Sequence, residues 1–257
     1  MYHFFVERSQ IHPESVTITG PDVNHIKNVL RMKPGEQVLI SNGEDRDYLC
    51  RLTEISADAV EAEILEEREE TTELPAKIWL FQGLPKSDKM ELIIQKAVEL
   101  GAYQIVPVAT KRAVVKLDKK KEEAKLKRWN AISESAAKQS KRLIIPEIAP
   151  VMSFDEALAF VKDFDSRCIP YECASGMDSV RQFVSQTGPG QKIAVFIGPE
   201  GGFEEIEIEK AREAGVVPVS LGKRILRTDP EIKIRMILIG FFHCKILGIF
   251  FYHRMHF

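Results

Sequence analysis

The chain has 257 residues, 44% of them hydrophobic, and a formal net charge of −2. That is enough apolar material for real cores and excludes a disordered, collagen-like or low-complexity chain. Four scattered cysteines (Cys50, Cys168, Cys173 and Cys244) lack the spacing of a disulfide framework or a metal site, so a reduced, cytoplasmic protein without metal is expected.

The charge is uneven. Through Glu73 the chain has 7 Lys/Arg against 16 Asp/Glu, and the remainder has 29 against 22. Two units with different jobs are expected, residues 1–73 and 74–257, the second better suited to an anionic partner. The amino terminus, MYHFFVERSQ, has no basic stretch leading into an apolar core, so no signal peptide is expected.

Residues 1–73 read mostly as strands. Tyr2–Val6, Ser15–Ile18, Gln37–Ser41, Tyr48–Ile55 and Ala59–Leu65 are short, rich in β-formers and separated by turns such as Lys33-Pro34-Gly35 and Asn42-Gly43. One helix, Pro21–Leu30, interrupts them. Five strands and a helix predict a small β-barrel. His25, Lys27, Arg31 and Lys33 form a basic strip in this acidic unit, and charge alone favours a solvated helix face.

Glu66–Glu73 is polar and acidic and is expected to be the linker. Ile78–Gly83 then reads as an apolar strand, and Asp88-Lys89-Met90-Glu91 has the form of a capping box. Met90, Ile93, Ile94 and Ala97 fall on one face of the following helix, which ends at Gly101. Gln104–Val108 completes a βαβ unit, placing Lys86 and Lys89 at the carboxyl end of its first strand. Thr110–Arg142 is densely basic. Glu122 and Glu123 interrupt the lysines, so most keep a long helix soluble, with Trp129, Ile132 and Ala136 as its buried stripe. Arg112 and Arg142 stand out because an arginine fork suits phosphate. A helix over Phe154–Phe164, a strand over Cys168–Tyr171 and a helix over Asp178–Gln186 follow.

Ile193–Ile197 is a continuous apolar run, as in a strand buried on both faces of a parallel sheet. Gly198-Pro199-Glu200-Gly201-Gly202 stops it with backbone that turns sharply and lets a ligand come close. Glu204, Glu205 and Glu207 crowd the first turn of the next helix, and Gly215 sits where a C-cap belongs. The loop lacks the Lys and Ser/Thr of a Walker phosphate cradle and the G-x-G-x-x-G dinucleotide spacing. It carries Glu200 instead, which repels a phosphate and tolerates a cationic ligand such as the sulfonium of S-adenosylmethionine. Val216–Leu221 is the next strand, followed by Gly222-Lys223-Arg224-Ile225-Leu226-Arg227-Thr228.

IGPEGGF followed by LGKRILRT resembles the paired signature of the small-subunit ribosomal RNA uridine N3-methyltransferases, members of the SPOUT, or trefoil-knot, class. HIKNVLRMKPGE is similar to the PUA-like RNA-binding segment of that family, and GLPKSDKMELIIQKAVELGA resembles its first knotted-domain motif. The segments around Arg112 (RAVVK) and Arg142 (ESAAKQSKR) are similar as well. The resemblance implies an α/β fold: a PUA-like barrel, then a trefoil-knot methyltransferase domain. It implies S-adenosylmethionine held by three loops: Tyr171-Glu172, Gly198–Gly202, and Leu221 to Leu226 with Gly222 and the apolar Ile225 and Leu226. It implies a substrate in 16S ribosomal RNA, at a uridine of the decoding region, contacted by Arg31, Lys33, Lys86, Lys89, Arg112, Arg142 and Arg224, and a homodimer with no membrane association.

Methylation at uridine N3 requires loss of the imide proton, so a base or a cation stabilising the uracil anion is needed. Arg227 is the expected cation and Glu200 a weaker choice as base. Past Thr228 the resemblance stops. Where the family continues Glu-Thr-Ala into a helix of small residues, this chain reads DPEIKIRMILIGFFHCKILGIFFYHRMHF, which suggests a shifted frame or a replacement. Met236–Tyr252 is nearly long enough to span a membrane, but His243 and Lys245 argue against it. Two other readings stay open: a binding-only RNA or ribosome-assembly protein with a disabled donor site, and a knotted methyltransferase acting on another RNA.

Overall fold

The computed structural model describes residues 1–68, 72–115, 117–171 and 178–220. The chain forms two compact units. One comprises Met1–Glu73 together with Ala137–Ile145, the other Leu74–Ala136 with the rest from Pro146.

In the first unit β1 (His3–Phe5), β2 (Ser15–Thr19), β3 (Gln37–Ser41), β4 (Asp47–Ile55) and β5 (Ala59–Arg68) form one sheet in the order β1-β3-β4-β5-β2. The β1–β3 pair is parallel and the other three pairs are antiparallel. Alternation sets the faces: Val16 and Ile18 are buried while Ser15 and Thr17 are partly open, and Val60 and Ala62 repeat the pattern on β5. The expected helix is present in two parts: α1 (Pro21–Asn24) runs directly into a π-helical turn over His25–Val29. Val23 and Ile26 from this segment pack with Phe4, Val38, Ile40 and Leu52. The turn is closed by the Met32 N–H on the Ile26 carbonyl, and Arg31 takes a left-handed φ of 54° to allow it.

β5 runs to Arg68, so the start of the acidic stretch expected as linker is strand. Residues 137–145 are stitched into this unit by buried polar contacts. Arg142 is 3% exposed, and its Nε donates to both Glu73 carboxylate oxygens at 2.8 and 3.0 Å, while the Leu143 N–H donates to Glu73 at 2.9 Å. Ser41 Oγ donates to the Leu143 carbonyl at 2.8 Å, and Lys138 Nζ pairs with Asp22. The expectation that Arg142 meets RNA is therefore corrected: a phosphate contact needs an accessible guanidinium, and this one is buried on a carboxylate.

In the second unit β6 (Lys77–Gly83), α2 (Lys89–Glu99), β7 (Gln104–Ala109), α3 (Lys119–Ser140, of which the residues from Ala137 belong to the first unit), β8 (Glu147–Ile148), β9 (Met152–Ser153) and α4 (Phe154–Phe160) come first. β10 (Ser166–Pro170), α5 (Asp178–Ser185), β11 (Lys192–Ile197), α6 (Glu205–Glu213) and β12 (Val217–Val219) complete it. The sheet order is β12-β10-β11-β6-β7-β8, with β9 also on β7, and every pairing is parallel. The central β6 and β11 are buried on both faces, which explains their unbroken apolar runs. Trp79, Phe81 and Phe196 pack with Phe154, Ala157, Ile208 and Ala211 on one side.

Met90, Ile93, Ile94 and Ala97 are buried on α2 as the helical spacing predicts. The capping box at Asp88 is not formed. Asp88 has φ −91° and ψ 11°, not the extended backbone of an N-cap, and Glu91 instead meets Arg128 Nε at 2.7 Å. On α3 Trp129 and Ala136 are buried and Ile132 only partly. Ser133 takes the buried place, its Oγ donating to the Pro146 carbonyl. The helix predicted over Phe154–Phe164 ends at Phe160.

Removing one partner of a buried ion pair leaves a desolvated charge, at a cost of about 3–5 kcal/mol. Arg142→Ala is expected to lower the stability of the chain by about 3 kcal/mol in urea unfolding, without changing the affinity of the second unit for its small-molecule ligand. Unchanged stability would show that the Arg142–Glu73 contact contributes nothing.

Candidate active site

The chain first builds the second sheet outward from β6 through β7 to β8. It then returns to the other side, where β11 lies against β6 and β10 and β12 lie beyond. The direction of winding reverses between β6 and β11, and open α/β sheets bind ligands at the carboxyl ends of strands at such a switch point. Because all pairings are parallel, the segments after β6, β10, β11 and β12 leave from the same edge. Of the three expected donor loops, Gly198–Gly202 follows β11 and Tyr171 follows β10, its N–H bonded to the Val219 carbonyl at 3.0 Å. Glu172, Leu221, Gly222, Arg224, Ile225, Leu226, Arg227 and the tail 229–257 lie outside the described residues.

The Gly198–Gly202 loop is packed tightly on the end of β6 and on itself. A Cβ on Gly83, the last residue of β6, would lie 2.6 Å from Pro199 Cδ and 2.8 Å from Pro199 N. A Cβ on Gly198 would lie 2.9 Å from the Gly202 carbonyl carbon, and Gly202 itself has φ +68°. Gly201 is different: its φ is not left-handed, and an added Cβ would only touch Arg112 at 3.4 Å. The residues that must be glycine are thus Gly83, Gly198 and Gly202.

Two neighbouring segments clamp the loop. Both Glu200 carboxylate oxygens accept from the Lys86 N–H, at 3.2 and 3.1 Å, and Lys89 Nζ stands 3.2 Å from Oε1. Arg112 Nη1 donates to the Gly201 carbonyl at 2.7 Å. Glu207 caps α6 by accepting from the Glu204 N–H at 2.8 Å and with its other oxygen accepts from the Lys111 N–H at 2.9 Å. The segments after β6 and β7 are therefore both tied to the loop after β11. Ser87, between Lys86 and the start of α2, pays for its place with a left-handed φ of 56°.

This geometry gives Glu200 a different job from the general base expected of it. Partial burial pushes its carboxyl upward, yet its own backbone N–H, the Lys86 N–H and the Lys89 ammonium outweigh that and hold it below its usual 4.5. A carboxylate so engaged is a poor proton acceptor and a good clamp. Lys89 and Arg112, expected to face RNA, are exposed but also bear on the donor loop. The Lys86, Arg31 and Lys33 side chains are exposed. Gln82, Gly83 and Glu207 bear on the loop as well; the sequence placed Gly83 at a strand end and Glu207 in a helix turn without a site role for either, and did not single out Gln82. A glutamine at the end of the apolar run of β6 is the signal that could have found the first.

Cys50 and Cys168 are buried free thiols; burial pushes Cys50 up to about 12 and Cys168 up as well, so neither is poised as a nucleophile. Among the described residues no group of three or more His, Cys, Asp or Glu could hold a metal, and no helix is long and apolar enough to cross a membrane.

Comparison with known proteins decides the family. Residues 72–230 match the profile of an RNA methyltransferase domain, and residues 18–65 that of an RNA methyltransferase PUA domain. The chain belongs to this RNA methyltransferase family. It is 39% identical over 235 residues to the ribosomal RNA small subunit methyltransferase E of Bacillus subtilis, covering 89% of this chain and 92% of that protein. Among solved structures it is similar to the Neisseria gonorrhoeae ribosomal RNA small subunit methyltransferase E bound to S-adenosylmethionine. The TM-score is 0.79 at 34% identity, over 91% of this chain and 95% of that one. A Legionella pneumophila methyltransferase in complex with the same cofactor gives a TM-score of 0.80 at 30% identity, over 93% and 96%. The fold is thus the expected one, a PUA domain joined to a SPOUT-type methyltransferase domain.

Two outcomes are expected of this methyltransferase. Gly198→Ala should weaken S-adenosylmethionine binding by at least about a hundredfold in calorimetry, equal to about 2.7 kcal/mol, whereas Gly201→Ala should stay within about threefold. The reverse order would displace the site from the Gly198–Gly202 crossing. For Glu200 the folded pKa is lowered, so its clamp stabilises fully above the unfolded value of 4.5 and is lost as pH falls through the folded value. The stability difference between wild type and Glu200→Gln should be largest near neutral pH and vanish in acid. A constant difference across that range would remove the clamp.

Proposed function

We propose that this chain transfers the methyl group of S-adenosylmethionine to N3 of a uridine in the decoding region of 16S ribosomal RNA. The observation that carries the reading is the clamped Gly198–Gly202 loop at the β6/β11 switch point, in a chain whose family is RNA methyltransferases. Such a site binds through backbone donors and acceptors and close glycine contacts, which suits an adenosine. The B. subtilis relative bears the name of a ribosomal RNA small subunit methyltransferase, and the N. gonorrhoeae structure holds the proposed cofactor.

In this reading Gly198, Pro199, Gly201 and Gly202 hold the donor with Tyr171, Glu172, Leu221, Gly222, Ile225 and Leu226, and Glu200 braces the loop. The uridine is unstacked to reach the methyl group. Its N3 proton passes to water, the N3 anion takes the methyl as the S–CH3 bond breaks to leave the neutral thioether, and Arg227 is the cation proposed to stabilise that anion. Arg31, Lys33, Lys86 and Arg224 contact phosphate, with Lys89 and Arg112 at the junction of RNA and donor loop. A homodimer in the cytoplasm acting on the small ribosomal subunit completes the proposal.

The test is incubation of the protein with labelled donor and small ribosomal subunits lacking the modification, followed by mass-spectrometric mapping. A single N3-methyluridine in the decoding region is the expected result. Methylation elsewhere would make this a methyltransferase of another RNA, and donor binding without transfer would remove the catalytic reading. Arg31 allows a sharper check on RNA contact, because a non-glycine residue in a left-handed conformation costs roughly 1–2 kcal/mol. Arg31→Gly should therefore raise stability while weakening RNA binding and flattening its salt dependence. Raised stability with unchanged RNA affinity would show that Arg31 serves only the turn.

A further inference from the structure

Gln82 is the last side chain of β6 before the switch point, and it ends the apolar run Ile78–Phe81. It is fully buried. Its Nε2 donates to the Gly83 carbonyl at 2.8 Å and to the Gly198 carbonyl at 3.3 Å. One side-chain amide therefore joins the carbonyl ending β6 to the carbonyl opening the donor loop, at the point where Pro199 presses on the Gly83 backbone. The other half of the amide is unsatisfied, since Gln82 Oε1 is buried with no hydrogen-bond partner. A buried acceptor left without a donor is destabilising. Its neighbours in the register, Ile197 on β11 and Pro107 on β7, are apolar. Packing alone calls for Leu or Met here, so the amide is retained at a cost to stability.

We infer that Gln82 is a positioning residue for the donor site: its amide fixes the Gly198 carbonyl, and with it the loop that receives S-adenosylmethionine, before the donor arrives. The inference rests on the proposed methyltransferase reading and adds to it a residue that acts through the loop from inside the sheet. A preformed loop lowers the ordering cost of binding. Loss of the amide therefore appears in donor affinity and in KM for the donor, while affinity for RNA stays unchanged.

The variants are Gln82→Met, which keeps length and removes both amide bonds, and Gln82→Glu, which sets a carboxyl group against two carbonyls. Donor affinity is read by calorimetry on folded protein, next to the unfolding midpoint. For Gln82→Met the expected result is a donor affinity at least about tenfold weaker, with RNA affinity unchanged and the midpoint close to wild type, because an orphan oxygen leaves together with the bonds. Gln82→Glu is expected to bind the donor better at acidic pH, where the protonated acid can still donate to one carbonyl. Donor affinity equal to wild type in Gln82→Met would overturn the inference alone. A lowered midpoint with unchanged donor affinity in both variants would do the same, leaving Gln82 as part of the core. Absence of donor binding by the wild-type chain would instead remove the methyltransferase reading beneath it.

Discussion

The second unit depends on one contact, the passage of Gly198-Pro199 across Gly83, where the Pro199 ring and backbone nitrogen fill the space that a Cβ would need. β6 and β11 can pair along their full length, from Lys77 opposite Lys192 to Gln82 opposite Ile197, only if the chain leaving β11 clears the end of β6. Glycine at both places allows it. Once the two backbones are in contact, the loop after β11 is fixed by groups already present on the adjoining segments. The Gln82 amide, the Lys86 N–H and the Lys111 N–H all bear on the loop or on the helix that follows it. The site is a consequence of the sheet's winding, and its polar contacts are refinements of it.

The two units carry their charge differently. In the first, the buried Arg142–Glu73 pair ties the segment after α3 to the end of the acidic stretch. In the second, the cations at the site, Lys89 and Arg112, are exposed, and Arg112 engages backbone at the Gly201 carbonyl. A buried pair of this kind resists removal of either partner, whereas the exposed contacts can exchange with a ligand or with phosphate at little cost.

Much of this was legible in the sequence because period and turn chemistry report local structure directly. The alternation of Val16 and Ile18, the helical face of Met90, Ile93 and Ala97, and the apolar runs of β6 and β11 placed their elements within a residue or two. The loop itself was legible from its glycines. Which glycine matters was not, because Gly201 and Gly202 look alike until φ and the position of Arg112 are known. Arg142 was read toward RNA because charge announces that a partner exists without naming it, and its partner Glu73 lies 69 residues away in sequence. Asp88 and Glu91 satisfied a capping pattern, but Glu91 had a stronger suitor in Arg128, which no local rule could weigh. Gln82 stood out only as a polar residue at the end of an apolar run; its meaning rests on Gly198, 116 residues on.

The central claim is that S-adenosylmethionine binds where the end of β6 meets the loop after β11. Hydrogen exchange of the full chain with and without the donor tests it most directly. The account predicts that donor addition slows exchange at the amides of Gly198–Gly202 and at Lys86, whose N–H is held by Glu200, while β1 to β5 are unaffected. Protection confined to other strand ends, with Lys86 and Gly198–Gly202 unchanged at saturating donor, would contradict it.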